Sequence, residues 1–147
     1  MKIVLQRVNE ASVTVEGRIT GAIRHGLLLL VGFGLTDDEA KLRPVADKLV
    51  NLRIFPDERG RFHHSLAEVG GAILAVPQFT LFADLSKGGR RPEFFGALEP
   101  AKAAPLFDRF VETLKQVGVA QVETGIFGAD MKVRLENDGP VTIPLEF

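Results

Sequence analysis

The side chains equipped for chemistry are few and widely spaced. There is no cysteine, which removes thiolate nucleophiles, disulfides and every zinc site built on sulfur. The histidines are His25, His63 and His64. The last two are adjacent, so on a strand they point to opposite faces and chelate poorly, and a metal hydrolase built on them is the weakest enzymatic reading. Gly32-Phe33-Gly34 lacks the third glycine of a dinucleotide fingerprint and reads as a tight strand-to-helix turn, and neither a Walker motif nor a nucleophile elbow occurs. Three segments remain. Gln78-Phe79-Thr80 ends an apolar run, where an amide, a hydroxyl and backbone N–H groups can converge on a substrate or can simply satisfy local backbone. Asp138-Gly139-Pro140 suits a hairpin turn that puts proline at a strand's first residue. Lys87, Arg90 and Arg91, with Gly88 and Gly89 between them, form the one basic cluster; it can face a phosphate, or be a solvated loop.

The elements that must hold these segments read as follows. Ile3–Val8 alternates, Asn9-Glu10 reads as a turn, Ser12–Val15 resumes, and Glu16-Gly17 is a hairpin signal into Arg18–Ile23, which together predict a β-meander. Leu27–Val31 is continuously apolar and suits a central strand. Thr36 to Glu39 supplies capping and first-turn acidic residues before Leu42, Val45, Ala46, Leu49 and Val50, predicting a helix over 37–51; Pro44 means that it starts near Arg43 or kinks there. Asn51–Phe55 and Ala72–Val76 read as strands. Pro100 opens a second helix with Ala103, Leu106, Phe107, Phe110, Val111, Leu114 and Val117 on one stripe, and Gly118 closes it. Strands Val119–Glu123, Met131–Glu136 and Val141–Glu146 follow, with Asn137–Pro140 as the turn before the last. The expected fold class is α/β of the α+β type: one β-rich domain over residues 1–147, with a mixed or antiparallel, barrel-like sheet and two main helices.

Composition narrows the function. At 147 residues the chain can bury a core without staples, and the N-terminal MKIVLQRVNE lacks the apolar stretch of a signal peptide or membrane span. With no cysteine, a reducing, cytoplasmic setting is the expectation. The net charge is −1 and the pI about 6.3, so no global basic field draws the chain onto nucleic acid and any RNA contact must be local. Trp and Tyr are absent and Phe occurs 11 times, so a base-stacking platform would use Phe or Arg.

Taken together, Gln6-Arg7-Val8 with Ala11–Val15, Gln78-Phe79-Thr80-Leu81, Arg91-Pro92 with Phe94, Gly128-Ala129-Asp130-Met131 and Asn137-Asp138-Gly139-Pro140-Val141-Thr142 resemble the D-aminoacyl-tRNA deacylase family. They span nearly the whole chain in the family's order, and the pair Q-F-T-L and N-x-G-P-x-T is highly specific. The resemblance implies a homodimer, without cofactor or metal, that hydrolyses the ester at the 3′ end of D-aminoacyl-tRNA and proofreads chirality in translation. It implies two interface pockets, each built from Gln78, Phe79 and Thr80 of one chain and Gly139-Pro140 of the other. It further implies a cis Gly-Pro bond whose carbonyls hold the amino group and block an L side chain, with Arg7 bracing that loop and Met131 lining the pocket. For such a substrate the lone basic cluster, Lys87, Arg90 and Arg91, is expected to contact phosphates near the acceptor end. An aminoacyl ester is already activated, so a backbone donor to the oxyanion and the tRNA's own 2′-hydroxyl suffice without a protein base. Thr80 then orients rather than attacks. Pro77 departs from the serine usual before Gln78, which is similar to an animal relative that clears L-alanine from a threonine tRNA. That editor is the alternative within the class, and a catalytically silent tRNA-end or protein-binding module is the alternative outside it.

Overall fold

The computed structural model describes residues 1–86 and 88–147. Its frame is one long, bent hairpin. Strand β1 (Lys2–Val15) pairs antiparallel first with β3 (Gly26–Gly32) and further along with β2 (Arg18–Ile23), so β2 and β3 share one edge of β1 and no meander forms. Asn9-Glu10 is not a turn. Val8 faces Asn137 and Glu10 faces Glu136 across the partner strand, which leaves Asn9 as an extra residue, a β-bulge within one strand. The bulge changes the parity of the strand, so Ile3 and Leu5 point into one core while Val8, Ala11 and Val13 point into the other.

Helix α1 (Leu42–Asn51) follows a 3-10 turn at Glu39–Lys41 and places Pro44 in its first turn, where a missing N–H breaks no hydrogen bond. The helix starts and does not kink. It also runs through Asn51, so the strand expected over Asn51–Phe55 reduces to β4 (Phe55–Pro56), paired with β5 (Phe62–His64). A one-turn helix, α2 (Leu66–Val69), opened by a Ser65–Glu68 capping box, leads to β6 (Ala72–Pro77), which lies parallel to β3. Helix α3 (Pro100–Gln116) begins on Pro100 and buries the predicted stripe from Ala103 to Leu114. Strand β7 (Val122–Thr124) pairs parallel with β6, and β8 (Met131–Glu146) runs antiparallel to β1 over most of its length.

The result is a mixed α+β fold with a barrel-like sheet. The strand order is β2-β1-β3-β6-β7 with β8 on the far edge of β1, and β7 returns to β2 so closely that a Cβ on Gly21 would lie 2.6 Å from the Thr124 carbonyl oxygen. Leu28, Leu74 and Val76 fill the barrel, whereas Leu27, Leu29, Ile73 and Ala75 meet α1 and α3 on its outside, where Leu49, Phe110 and Leu114 are fully buried. Burying one such side chain stabilises the fold by about 1.5–3 kcal/mol. Both faces of β3 are therefore apolar, which is why Leu27–Val31 reads as an unbroken run.

Candidate active site

Strand β6 ends at Pro77, and Gln78 anchors the chain to β3 through its N–H, which donates to the Val31 carbonyl at 2.7 Å. A 3-10 turn, Phe79–Phe82, follows at once. The N–H groups of Phe79 and Thr80 lead this turn and have no acceptor among the described residues, so they are available as donors. The Gln78 carboxamide donates to Thr80 Oγ1. Among the described residues the side-chain partner of that hydroxyl is this amide. Beside the turn lies a cavity of about 350 Å³ whose wall includes Gly32, Phe33, Gln78, Phe79, Leu98 and Phe127. Phe79 and Phe94 stand edge to face at 5.0 Å next to it, and Phe79 is 56% exposed. The site thus offers apolar shape with a few polar donors at one side, the usual make-up of a small-ligand site.

The N-x-G-P-x-T segment is a bulge and not the hairpin turn expected of it. Gln6 faces Thr142 and Val8 faces Asn137, so Asp138, Gly139, Pro140 and Val141 bulge out opposite Arg7 alone. Asn137 staples the base: its Oδ1 accepts the Val141 N–H at 2.8 Å and its amide donates to Thr142 Oγ1 at 2.8 Å, which Gln6 also reaches at 3.1 Å. Gly139 has φ +124°, and a Cβ there would come within 2.8 Å of Val141 Cγ2 and 3.0 Å of Arg7 Nη2, so both its conformation and its space demand glycine. The Gly139-Pro140 bond is cis. Arg7, 6% exposed, braces the bulge: its Nε pairs with the Asp138 carboxylate at 2.8 Å and its Nη1 donates to the Ile54 carbonyl. Asn137 and Thr142 hold the base of the bulge, and the spacing of the motif was the signal for them.

These two constructions do not meet within one chain. Gln78 is fastened level with Ile3 on β1, through Val31, whereas the bulge sits level with Arg7. Four residues of strand separate the two levels, about 13 Å, and the cavity wall includes none of Arg7, Gly139 and Pro140. Met131 also lies off the wall. It begins β8 and packs under Gly125, where an added Cβ would come 2.5 Å from its sulfur and 3.6 Å from Pro77 Cδ, so it supports the strand end that carries Gln78. Arg90 and Arg91 are exposed on a loop whose ends are tied by the paired backbones of Asp84 and Glu93; Lys87 lies outside the described residues. His63 and His64 stand ring to ring at 4.7 Å, and among the described residues no group of three or more acids and histidines is gathered for a metal. No described helix is long and apolar enough to cross a membrane.

The chain is similar to known proteins along nearly its whole length. The sequence profile of the D-Tyr-tRNA(Tyr) deacylase family matches residues 4–146. The D-aminoacyl-tRNA deacylase of Roseiflexus sp. (strain RS-1) is 56% identical over 146 residues, 99% of this chain and 93% of that protein. That of Brevibacillus brevis (strain 47 / JCM 6285 / NBRC 100599) is 53% identical, covering 99% of both chains. Among solved structures, one described as a c-Myc DNA unwinding element binding protein superposes with a TM-score of 0.91 at 40% identity, covering 100% of this chain and 99% of the other.

Proposed function

The chain belongs to the D-Tyr-tRNA(Tyr) deacylase family, and on that premise we propose that it hydrolyses the ester joining a D-amino acid to the 3′ end of tRNA, with glycyl-tRNA as a further substrate. The observation that carries this reading is the Gln78-Phe79-Thr80 turn, whose two leading N–H groups stand beside an apolar cavity. An oxyanion needs such donors. One is worth about 3 kcal/mol when the ester carbonyl becomes tetrahedral. Water attacks the carbonyl carbon, the ester C–O bond breaks, and the departing 3′-oxygen takes a proton with help from the neighbouring 2′-hydroxyl, which leaves a protein base dispensable. Thr80, held by the Gln78 amide, orients the reacting groups.

Handedness is assigned to Gly139-Pro140 of a second copy. This is supported by the separation of the bulge from the cavity within one chain, and by the position of the bulge on β8, an edge strand that pairs with β1 alone. A homodimer would complete two pockets. Backbone carbonyls of the bulge, set against the substrate's Cα, reject an L side chain by steric overlap, tolerate diverse D side chains that point away, and admit glycine. Arg90, Arg91 and Lys87 hold phosphates near the acceptor end, and the work is done in the cytoplasm.

Pro77 supports a second reading, clearance of L-alanine from tRNA, because it lies on the cavity wall immediately before Gln78. One assay separates the possibilities. Matched D-, L- and glycyl-tRNAs are offered at equal concentration and deacylation is followed. The proposal expects D and glycyl substrates to be cleaved and L to survive; preferential cleavage of L-alanyl-tRNA selects the second reading, and no cleavage above the uncatalysed rate selects a silent binding module.

A further inference from the structure

Asp37 is the one acidic side chain in the buried set of described residues, and the chemistry above makes no use of it. Its Oδ2 accepts the Gly34 N–H at 2.6 Å, and its own N–H donates to the Gly34 carbonyl at 3.1 Å, so a reciprocal pair closes the turn that leaves β3. From the other side two ammonium groups grip the carboxylate. The α-amino nitrogen of Met1 lies 2.9 Å from Oδ1 and 2.7 Å from Oδ2, and Lys41 Nζ lies 2.7 Å from Oδ1. The same α-amino group donates to the Phe147 carbonyl at 2.9 Å, which ties the residue after β8 to this point.

What hangs on the turn is the cavity wall. Gly32 and Phe33 line the cavity, the Phe33 carbonyl accepts the Leu98 N–H at 2.9 Å, and Gly34 bridges to Ala97; Ala97, Leu98 and Glu99 form the facing strip of the same wall. There is little slack, because a Cβ on Gly34 would lie 2.9 Å from the Phe82 ring. A buried ion pair is an inefficient way to gain stability, since desolvation offsets much of the attraction, whereas its geometric demand can fix one arrangement. The Asp37 cluster is placed to do that for the wall.

We propose that Asp37 is a positioning residue: clamped by the Met1 α-amino group and Lys41, it fixes the Phe33–Gly34 turn and thereby the cavity wall against which the aminoacyl-tRNA end rests. The substrate clause rests on the function proposed above; the fixing of the wall does not. A wall that touches substrate equally before and during reaction contributes uniform binding, so its loss raises KM and leaves kcat in place.

The test compares Asp37→Ala, Asp37→Asn and Lys41→Met with the unaltered protein, each at a temperature where circular dichroism shows it folded. Asp37→Ala should raise KM for D-aminoacyl-tRNA about tenfold with kcat within about twofold. Asp37→Asn keeps an oxygen for the Gly34 N–H and should restore KM to within about threefold, with Lys41→Met similar. Amide hydrogen exchange supplies a readout free of activity: Leu98 should exchange at least about tenfold faster in Asp37→Ala while Leu29, in β3, stays protected. Should Asp37→Ala not fold, Lys41→Met carries the same two readouts with smaller shifts. Unchanged KM and unchanged Leu98 exchange in folded variants overturn the proposal, as does a fall in kcat equal to the fall in kcat/KM. If the unaltered protein does not cleave D-aminoacyl-tRNA but Leu98 loosens as stated, the functional reading fails and the positioning role stands.

Discussion

Replacing Arg7 with alanine removes a side chain that joins Ile54, beside the β4–β5 hairpin, to the Asn137–Thr142 bulge. The guanidinium is buried: its Nη1 donates to the Ile54 carbonyl, its Nε is ion-paired with the Asp138 carboxylate at 2.8 Å without a hydrogen bond, and its Nη2 would lie 3.0 Å from a Cβ on Gly139. Loss of its donor leaves the buried Ile54 carbonyl unsatisfied, about 1–3 kcal/mol. Asp138, whose side chain is 33% exposed, recovers water, so its share is about 0–1 kcal/mol. The sum, about 1–4 kcal/mol, corresponds to a melting temperature lower by roughly 3–12 °C for a chain of this size. Function should suffer through the bulge: if about 2 kcal/mol of its pinning is lost, the competent arrangement falls roughly thirtyfold relative to its alternatives, and apparent affinity falls with it. Initial rates on D- and L-aminoacyl-tRNA, with thermal unfolding alongside, measure both effects. Arg7→Lys keeps a charge but lacks the fork that reaches two partners, and should fall between. A variant that melts within about 1 °C of the parent and keeps the same D-to-L ratio would refute the brace.

Thr80→Ala should retain activity within about tenfold, because the hydroxyl's partner is an amide and not a base; a trapped aminoacyl-Thr80 ester would restore it as a nucleophile. Burial alone would raise the Asp37 carboxyl, but hydrogen bonds from Lys41, the Met1 amine and the Gly34 N–H outweigh it and hold the group below its ordinary value of 3.8. A depressed carboxyl contributes stability that is present above the unfolded value and lost as pH falls through the folded one, so urea midpoints should drop below about pH 4, and Asp37→Asn should flatten that limb; identical acid limbs in the two proteins would contradict this. For the basic loop, log affinity for tRNA against log salt should have a slope of about −2 to −3, reduced by about 1.5–2 in the Arg90→Ala, Arg91→Ala double variant; a slope near zero removes the loop from the interface.

The sequence by itself determined the parts that depend on local pattern. The stripes of α1 and α3 coincide with their buried faces, because a helix contacts the core at a fixed period whatever lies opposite. The unbroken run in β3 announced a strand with both faces covered, and the two motifs marked the strand-end turn and the bulge on which the proposed site is built. Turn signals were another matter. Asn9-Glu10 and Asn137–Pro140 carry residues that favour reversal, yet the chain passes straight through both, because β1 and β8 pair on either side of each irregularity and a bulge keeps those hydrogen bonds where a reversal would forfeit them. Asn51–Phe55 has strand-like residues, but α1 takes Asn51 and docks against α3. Asp37 looked like a first-turn acid and is instead sealed against Met1, a partner 36 residues away. Tertiary structure decided these points for one physical reason: the free energy of a turn, a strand end or a carboxylate is set by what comes to lie beside it, and sequence spacing carries that information only where the neighbour is local.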